Sequence, residues 1–141
     1  MPREDITEIL KSWPHEFGTL NVRIIKADDG RELLQLRIEL GVVQMEMEGR
    51  PDGIEQEGYD SLLSKIEDQG CEGGLEPDFC RRLREEGVQR SHRAAALFAI
   101  SRWESVIADC EQNLTLFDLC KFNAQEDQDK EALEQFRAAV I

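Results

Sequence analysis

The chain has 141 residues, 40% of them hydrophobic and 33% charged, with a formal net charge of −13. That length buries a genuine core, with roughly two thirds of the unfolded surface lost on folding, and that composition excludes a disordered chain. So acidic a surface repels phosphate backbones and anionic bilayers, which sets aside direct nucleic-acid binding and membrane docking and leaves basic protein surfaces as the easier partners.

No apolar run approaches the ~20 residues that span a bilayer. The opening MPREDITEIL is acidic and lacks the apolar centre of a signal peptide. The expected location is the cytoplasm. Cys71, Cys80, Cys110 and Cys120 contain no C-x-x-C pair, and His15 and His92 do not stand at ligand spacing to them. They read as reduced structural thiols, and neither a metal nor a cofactor is expected.

Asp5-Ile6-Thr7-Glu8 resembles a capping box with Asp at the N-cap. Ile6, Ile9, Leu10 and Trp13 then follow at helical spacing, and Pro14 stops the helix. Residues 19–48 change to a period of two. Asp28-Asp29-Gly30 is a hairpin signal. A three-residue loop with Gly30 in the left-handed conformation pairs Lys26 with Glu32, Ile24 with Leu34, Val22 with Leu36 and Leu20 with Ile38, apolar opposite apolar. Beyond Gly41 the alternation continues one step out of phase, at Val43, Met45 and Met47. A bulge at Gly41 inside one long strand restores the phase, because one inserted residue compensates a one-residue slip. The segment beyond the bulge then overhangs its hairpin partner. Val43, Met45 and Met47 become candidates for self-association by edge pairing, in a homodimer.

Gly49-Arg50-Pro51-Asp52-Gly53 closes the β region with turn residues. Tyr59, Leu62, Leu63 and Ile66 form one helical stripe, and three glycines between Gln69 and Leu75 form a link. Pro77 suits a helix N1 position, with Phe79, Cys80, Leu83 and Val88 on the next face. Helices follow over 94–100, 103–119 and about 127–139. Ala94, Leu97 and Phe98 before Trp103, Val106, Ile107, Cys110, Asn113 and Leu114 resemble one tetratricopeptide-type helix pair. Ala94 would be the small residue at the crossing, with Leu97 and Phe98 between the helices. An ordinary antiparallel helical hairpin explains the same spacing.

No hydrolase elbow, phosphate loop, zinc-protease or dinucleotide motif is present. The polar residues that could build a site are Arg50 and Asp52 at a strand end, Tyr59, and Arg90, His92 and Arg93 on a helix. Arginines 81, 82, 84, 90, 93 and 102 cluster between acidic stretches. They either line a groove for an acidic peptide or satisfy neighbouring carboxylates.

The stretches LQLRIELGVVQMEMEGRPDG, GYDSLL, CRRLREEGVQRSHR and SRWESVIADCEQNLTLFDLCKFNA together resemble a group of uncharacterised bacterial proteins. Those proteins are described through tetratricopeptide-like helices or a C-terminal UVR motif, the short helical hairpin named after excinuclease subunits B and C. The resemblance spans residues 5–141, and GVVQMEMEGRPDG is its most specific part. The C-terminal DQDKEALEQFRAAVI lacks the UVR pattern, so no role in excision repair carries over, and no catalytic residues are implied.

The expected architecture is α+β in one domain over 1–141. An N-terminal helix and a hairpin with a long bulged second strand occupy 1–53, and a four- to five-helix TPR-like array occupies 54–141. The expected function is a non-enzymatic protein-interaction or adaptor module, its partner unspecified. The alternatives are a small-molecule-binding protein or enzyme, with a polar pocket between sheet and helices near Arg50, Asp52, Tyr59 and His92, and an accessory domain of a longer chain.

Overall fold

The computed structural model describes residues 4–140, with side chains as far as Ala138. The predicted spans that reach residues 1–3 and Ile141 extend outside the described residues. Helix α1 covers Thr7–Ser12. The Asp5 carboxylate accepts the Thr7 N–H at 2.8 Å, and the Trp13 N–H closes the helix on the Ile9 carbonyl just before Pro14.

Three antiparallel strands follow, β1 (Asn21–Lys26), β2 (Glu32–Ile38) and β3 (Gly41–Glu46), in the order β1-β2-β3. The first hairpin has the register read from the sequence: Lys26 faces Glu32, Ile24 faces Leu34 and Val22 faces Leu36. Its loop is Asp28-Asp29-Gly30, with Gly30 at φ +87°, where a side chain would be strained.

The long bulged strand does not form. The chain reverses at Glu39-Leu40, and β3 runs back along β2, with Ile38 opposite Gly41, Leu36 opposite Val43 and Leu34 opposite Met45. The phase slip follows from the count. A three-residue loop pairs even positions with even ones. A two-residue loop pairs even with odd, so Leu34 and Leu36 share a face with Val43 and Met45. Neither Glu39 nor Leu40 has a positive φ, so the turn is not of the usual hairpin kind that needs Gly or Asn. Arg37 holds it instead. Its Nη1 donates to the carbonyls of Ile38, Glu39 and Gly41, and its Nε donates to the Trp13 carbonyl at 2.7 Å.

One face of the sheet carries Val22, Ile24, Leu34 and Met45 against Ala96, Leu97, Ile100 and Val106. The other face is mixed, with buried Leu33 opposite Ile25 beside a polar row. Arg23 donates to Gln35 at 2.8 Å, Gln35 donates to Gln44 at 3.0 Å, and the Arg23 guanidinium stacks 4.0 Å from the Trp13 ring.

The helical part departs from a TPR-like array. It has α2 (Leu62–Gln69), then two long antiparallel helices, α3 (Pro77–Ala99) and α4 (Trp103–Asn123). Pro77 opens α3 as expected, but the spans predicted to either side of residues 91–93 are one continuous helix. The left-handed Ser101, at φ 60°, makes the corner between α3 and α4. The predicted last helix is broken into α5 (Asp127–Glu131), a 3-10 turn (Glu134–Phe136) and α6 (Arg137–Val140). Leu133, between the first two, turns into the core with Leu62, Ile66, Cys80, Leu83, Leu116 and Cys120. The result is one helical hairpin with short helices around it.

Candidate functional site

Helix α3 has two stripes, each with the alternating three- and four-residue spacing of a buried seam. The inward stripe is Leu83, Glu86, Arg90, Arg93 and Leu97, and all five are buried. Charges here interrupt an apolar row, so each must find a partner. The Glu86 carboxylate accepts the Leu62 and Leu63 N–H groups at 2.7 and 3.2 Å, supplying acceptors to the first turn of α2 from another helix. Arg90 Nη2 donates to Glu86 at 2.9 Å, and Arg90 Nε donates to Gln112. Arg93 grips the Asp109 carboxylate through Nε and Nη2, at 2.9 and 2.7 Å, and its Nη1 donates to the Glu46 carbonyl at the end of β3.

The loop between sheet and helices joins the same layer. Arg50 lies 3.1 Å from Asp52 and 3.7 Å from Glu86. Asp52 exchanges hydrogen bonds with Gln89 of α3. Burial alone would raise the Asp52 pKa, but the Ile54 N–H, the Gln89 amide and Arg50 together hold it below the ordinary value.

Arg50, Asp52, Arg90 and Arg93 are thus brought together, but as a filled layer of ion pairs in place of the expected polar pocket. Tyr59 stands apart, its hydroxyl donating to Asp68 and accepting from Gln69 at 3.2 Å. His92 lies exposed on α3. Five of the six clustered arginines satisfy neighbouring carboxylates: Arg81 pairs with Asp78 and Glu85, Arg82 with Glu57, Arg84 with Asp129, Arg90 with Glu86 and Arg93 with Asp109. Glu86 and Asp109 were missed from the sequence. The available signal was their position inside an otherwise apolar helical period.

The self-association surface also changes. β3 is paired to β2 along its length, so no overhang exists. Met45 is buried and Met47 packs partly buried against the same core, while Val43 is more open. The outward-facing groups of Glu46 are taken as well, its N–H by the Pro51 carbonyl at 2.8 Å and its carbonyl by Arg93.

The second stripe of α3, Gly87, Ser91, Ala94 and Phe98, lines a groove with Val106, Cys110, Asn113 and Phe117 of α4. Its volume is about 490 Å³, and Leu133 and Phe136 also line it. α4 packs close to α3 at Gly87: a Cβ there would meet Asn113 and Leu116 in ordinary van der Waals contact at 3.6 Å. Asn113 locks the crossing, its Nδ2 donating to the Gly87 carbonyl at 3.1 Å and to Ser91 Oγ at 3.2 Å. The crossing therefore sits at Gly87, not at Ala94. Leu97 points to the sheet. Phe98, expected between the helices, is 62% exposed and packs edge-on against Trp103 at 5.0 Å. Val88, Trp103, Ile107 and Phe136 are also at least half exposed.

A second, more polar cavity of about 320 Å³ lies beside the 70–74 link, between Lys65, Gln69, Glu72 and Phe79. Neither cavity is lined by Arg50, Asp52, Tyr59 or His92. Among the described residues no three His, Cys, Asp or Glu side chains converge as metal ligands. No helix among them is long and apolar enough to cross a membrane. No family model matches the chain, and no curated protein or solved structure matches it.

Proposed function

We propose that the chain is a non-enzymatic protein-interaction module, and that the α3–α4 groove is its docking surface. One observation carries this: large apolar side chains stay in solvent around a preformed apolar groove. Val88, Phe98, Trp103, Ile107 and Phe136 would all gain by being covered. A contiguous exposed patch of this kind is the usual mark of an interface. The titratable groups offer less. Glu86, Arg90, Arg93 and Asp109 are each committed to internal partners, which leaves little for acid–base work on a substrate.

The groove volume also falls within the ~300–1,000 Å³ range of small-molecule sites, so an apolar small ligand in the same place is the second reading. A photo-crosslinking residue placed at Phe98 separates the two. Protein adducts from the native lysate at Phe98, absent when the crosslinker is placed at Glu85, support docking. An apolar small molecule recovered from the native protein, with no protein adduct at Phe98, supports the ligand reading.

A further inference from the structure

We infer that the outer edge of β1 is a second docking site, which takes an extended acidic segment of a partner protein as a fourth strand. This site is separate from the groove and does not depend on it. The hydrogen-bond phase of the sheet shows which groups are free. The Ala27 N–H donates to the Arg31 carbonyl at 2.8 Å. Hydrogen-bonded pairs alternate along an antiparallel ladder. In the observed register the bonds to β2 therefore join Ile25 with Leu33, Arg23 with Gln35, and Asn21 with Arg37. The N–H and C=O groups of Val22, Ile24 and Lys26 point the other way, and no described residue hydrogen-bonds to them.

The opposite edge of the sheet is partly closed. There the outward N–H and C=O of Glu46 are taken by Pro51 and Arg93. β1 has no such cover: all of its residues stay at least partly exposed, whereas β2 beside it is mostly buried. An open edge with a row of unpaired donors and acceptors is a template for one more strand.

Charge selects the strand. β1, NVRIIK, carries Arg23 and Lys26 and no acid. Arg23 stacks on Trp13 and donates to Gln35. Lys26 stands opposite Glu32 without closing an ion pair on it. Among the described residues neither cation meets a carboxylate, unlike the arginines of α3. Two spare cations on the open edge of a chain carrying −13 suit an anionic strand. In antiparallel addition the residue opposite Lys26 comes three places before the one opposite Arg23. The residues opposite Ile24 and Val22 share the core face. The occupant therefore reads acidic–any–apolar–acidic–apolar from its N-terminal side. A second copy of β1 is a poor occupant, since it would bring two more cations to this edge and no anion.

The test titrates the full chain with synthetic peptides of about eight residues, within the ordinary range of strands, with that pattern at the centre. One has glutamate at both acidic places and one has glutamine there. A third keeps glutamate but is N-methylated opposite Val22 and Ile24, where its N–H groups would face β1. Affinity is read by fluorescence anisotropy, and strand addition by amide hydrogen exchange. In the free chain the Val22, Ile24 and Lys26 amides should exchange faster than those of Arg23 and Ile25. The glutamate peptide should protect all three and bind roughly fivefold more tightly than the glutamine peptide at low salt. Lys26→Gln, shown by circular dichroism to be folded, should narrow that gap, and N-methylation should abolish binding. Phe98→Asp, which alters the groove, should leave both readouts unchanged. Binding that survives N-methylation, that is lost in Phe98→Asp, or that leaves the three amides unprotected overturns strand addition. Equal affinity for the glutamate and glutamine peptides overturns the acidic occupant, and failure of both overturns the docking edge. Protection of the three amides that grows with the concentration of the free chain overturns the peptide in favour of a second copy.

Discussion

Glu86→Gln is the sharpest perturbation of the interior. The carboxylate is fully buried, and both of its oxygens face donors. Oε1 receives the Leu62 N–H and lies near Arg50, and Oε2 receives the Leu63 N–H and Arg90. Glutamine keeps the shape but must turn an NH₂ group toward one of these donor sets. Arg90 has little room to adapt, since its Nη1 is already buried without a partner. Removing one partner of a buried pair costs about 3–5 kcal/mol, a large share of the ~5–15 kcal/mol that holds a domain together. With about 4 kcal/mol lost and a urea slope of ~2 kcal/mol/M, the unfolding midpoint falls by ~2 M with the slope unchanged. Hydrogen exchange at the Leu62 and Leu63 amides should accelerate in step. Replacing Glu86 and Arg90 together by apolar residues should also destabilise, unlike an ordinary buried pair, because the first turn of α2 still loses its acceptor. A midpoint within about 0.3 M of the wild type, equivalent to under ~1 kcal/mol, would refute this account of the layer.

Gly87→Ala should stabilise the fold by ~1 kcal/mol, since the new methyl meets only ordinary contacts at 3.6–3.8 Å and a helical glycine is removed. A calorimetric midpoint lower than wild type would contradict the close but unstrained crossing. Arg37→Met should cost about 2 kcal/mol, the scale of charge-assisted hydrogen bonds, with exchange fastest near Gly41, because Arg37 holds the Glu39-Leu40 turn. Asp52 has a folded pKa below its ordinary 3.8, so its contribution is present in full above pH 3.8 and is lost as pH falls through the folded value. Asp52→Asn should therefore be less stable than wild type at neutral pH, and the gap should close on acidification below 3.8. Burial pushes the Cys120 thiol up to about 12 and raises Cys80 as well. At about pH 8 a thiol reagent should reach Cys71 and Cys110 first, and reach Cys80 and Cys120 only on unfolding.

The parts legible in the sequence were those with local signals. Asp28-Asp29-Gly30 set the first hairpin and its register, Pro77 marked the start of α3, and the apolar period around 94–117 marked a helical pair. The second hairpin was illegible because its turn residues are Glu39 and Leu40. The stabilising group, Arg37, acts from within the strand and leaves no turn signature. Gly41 drew attention to itself but is only the first residue of β3. The polar layer was half legible. Arg50, Asp52, Arg90 and Arg93 do lie together, and Glu86 is one turn from Arg90 on α3, but Asp109 comes from α4 and the amides that Glu86 accepts come from α2, so the full pairing exists only once α2, α3, α4 and the 46–62 loop are packed. The lining of the groove went unread for a related reason. Gly87, Ser91 and Ala94 carry too little hydrophobic signal to reveal a seam until Val106, Cys110 and Phe117 face them.

The most direct measurement is a backbone amide shift map of the labelled full chain during titration with the protein that the Phe98 crosslink captures. The account predicts changes confined to Gly87–Phe98 and Val106–Phe117, while β1–β3 stay unmoved. Shifts centred on the sheet, or on the cavity beside the 70–74 link, would contradict it.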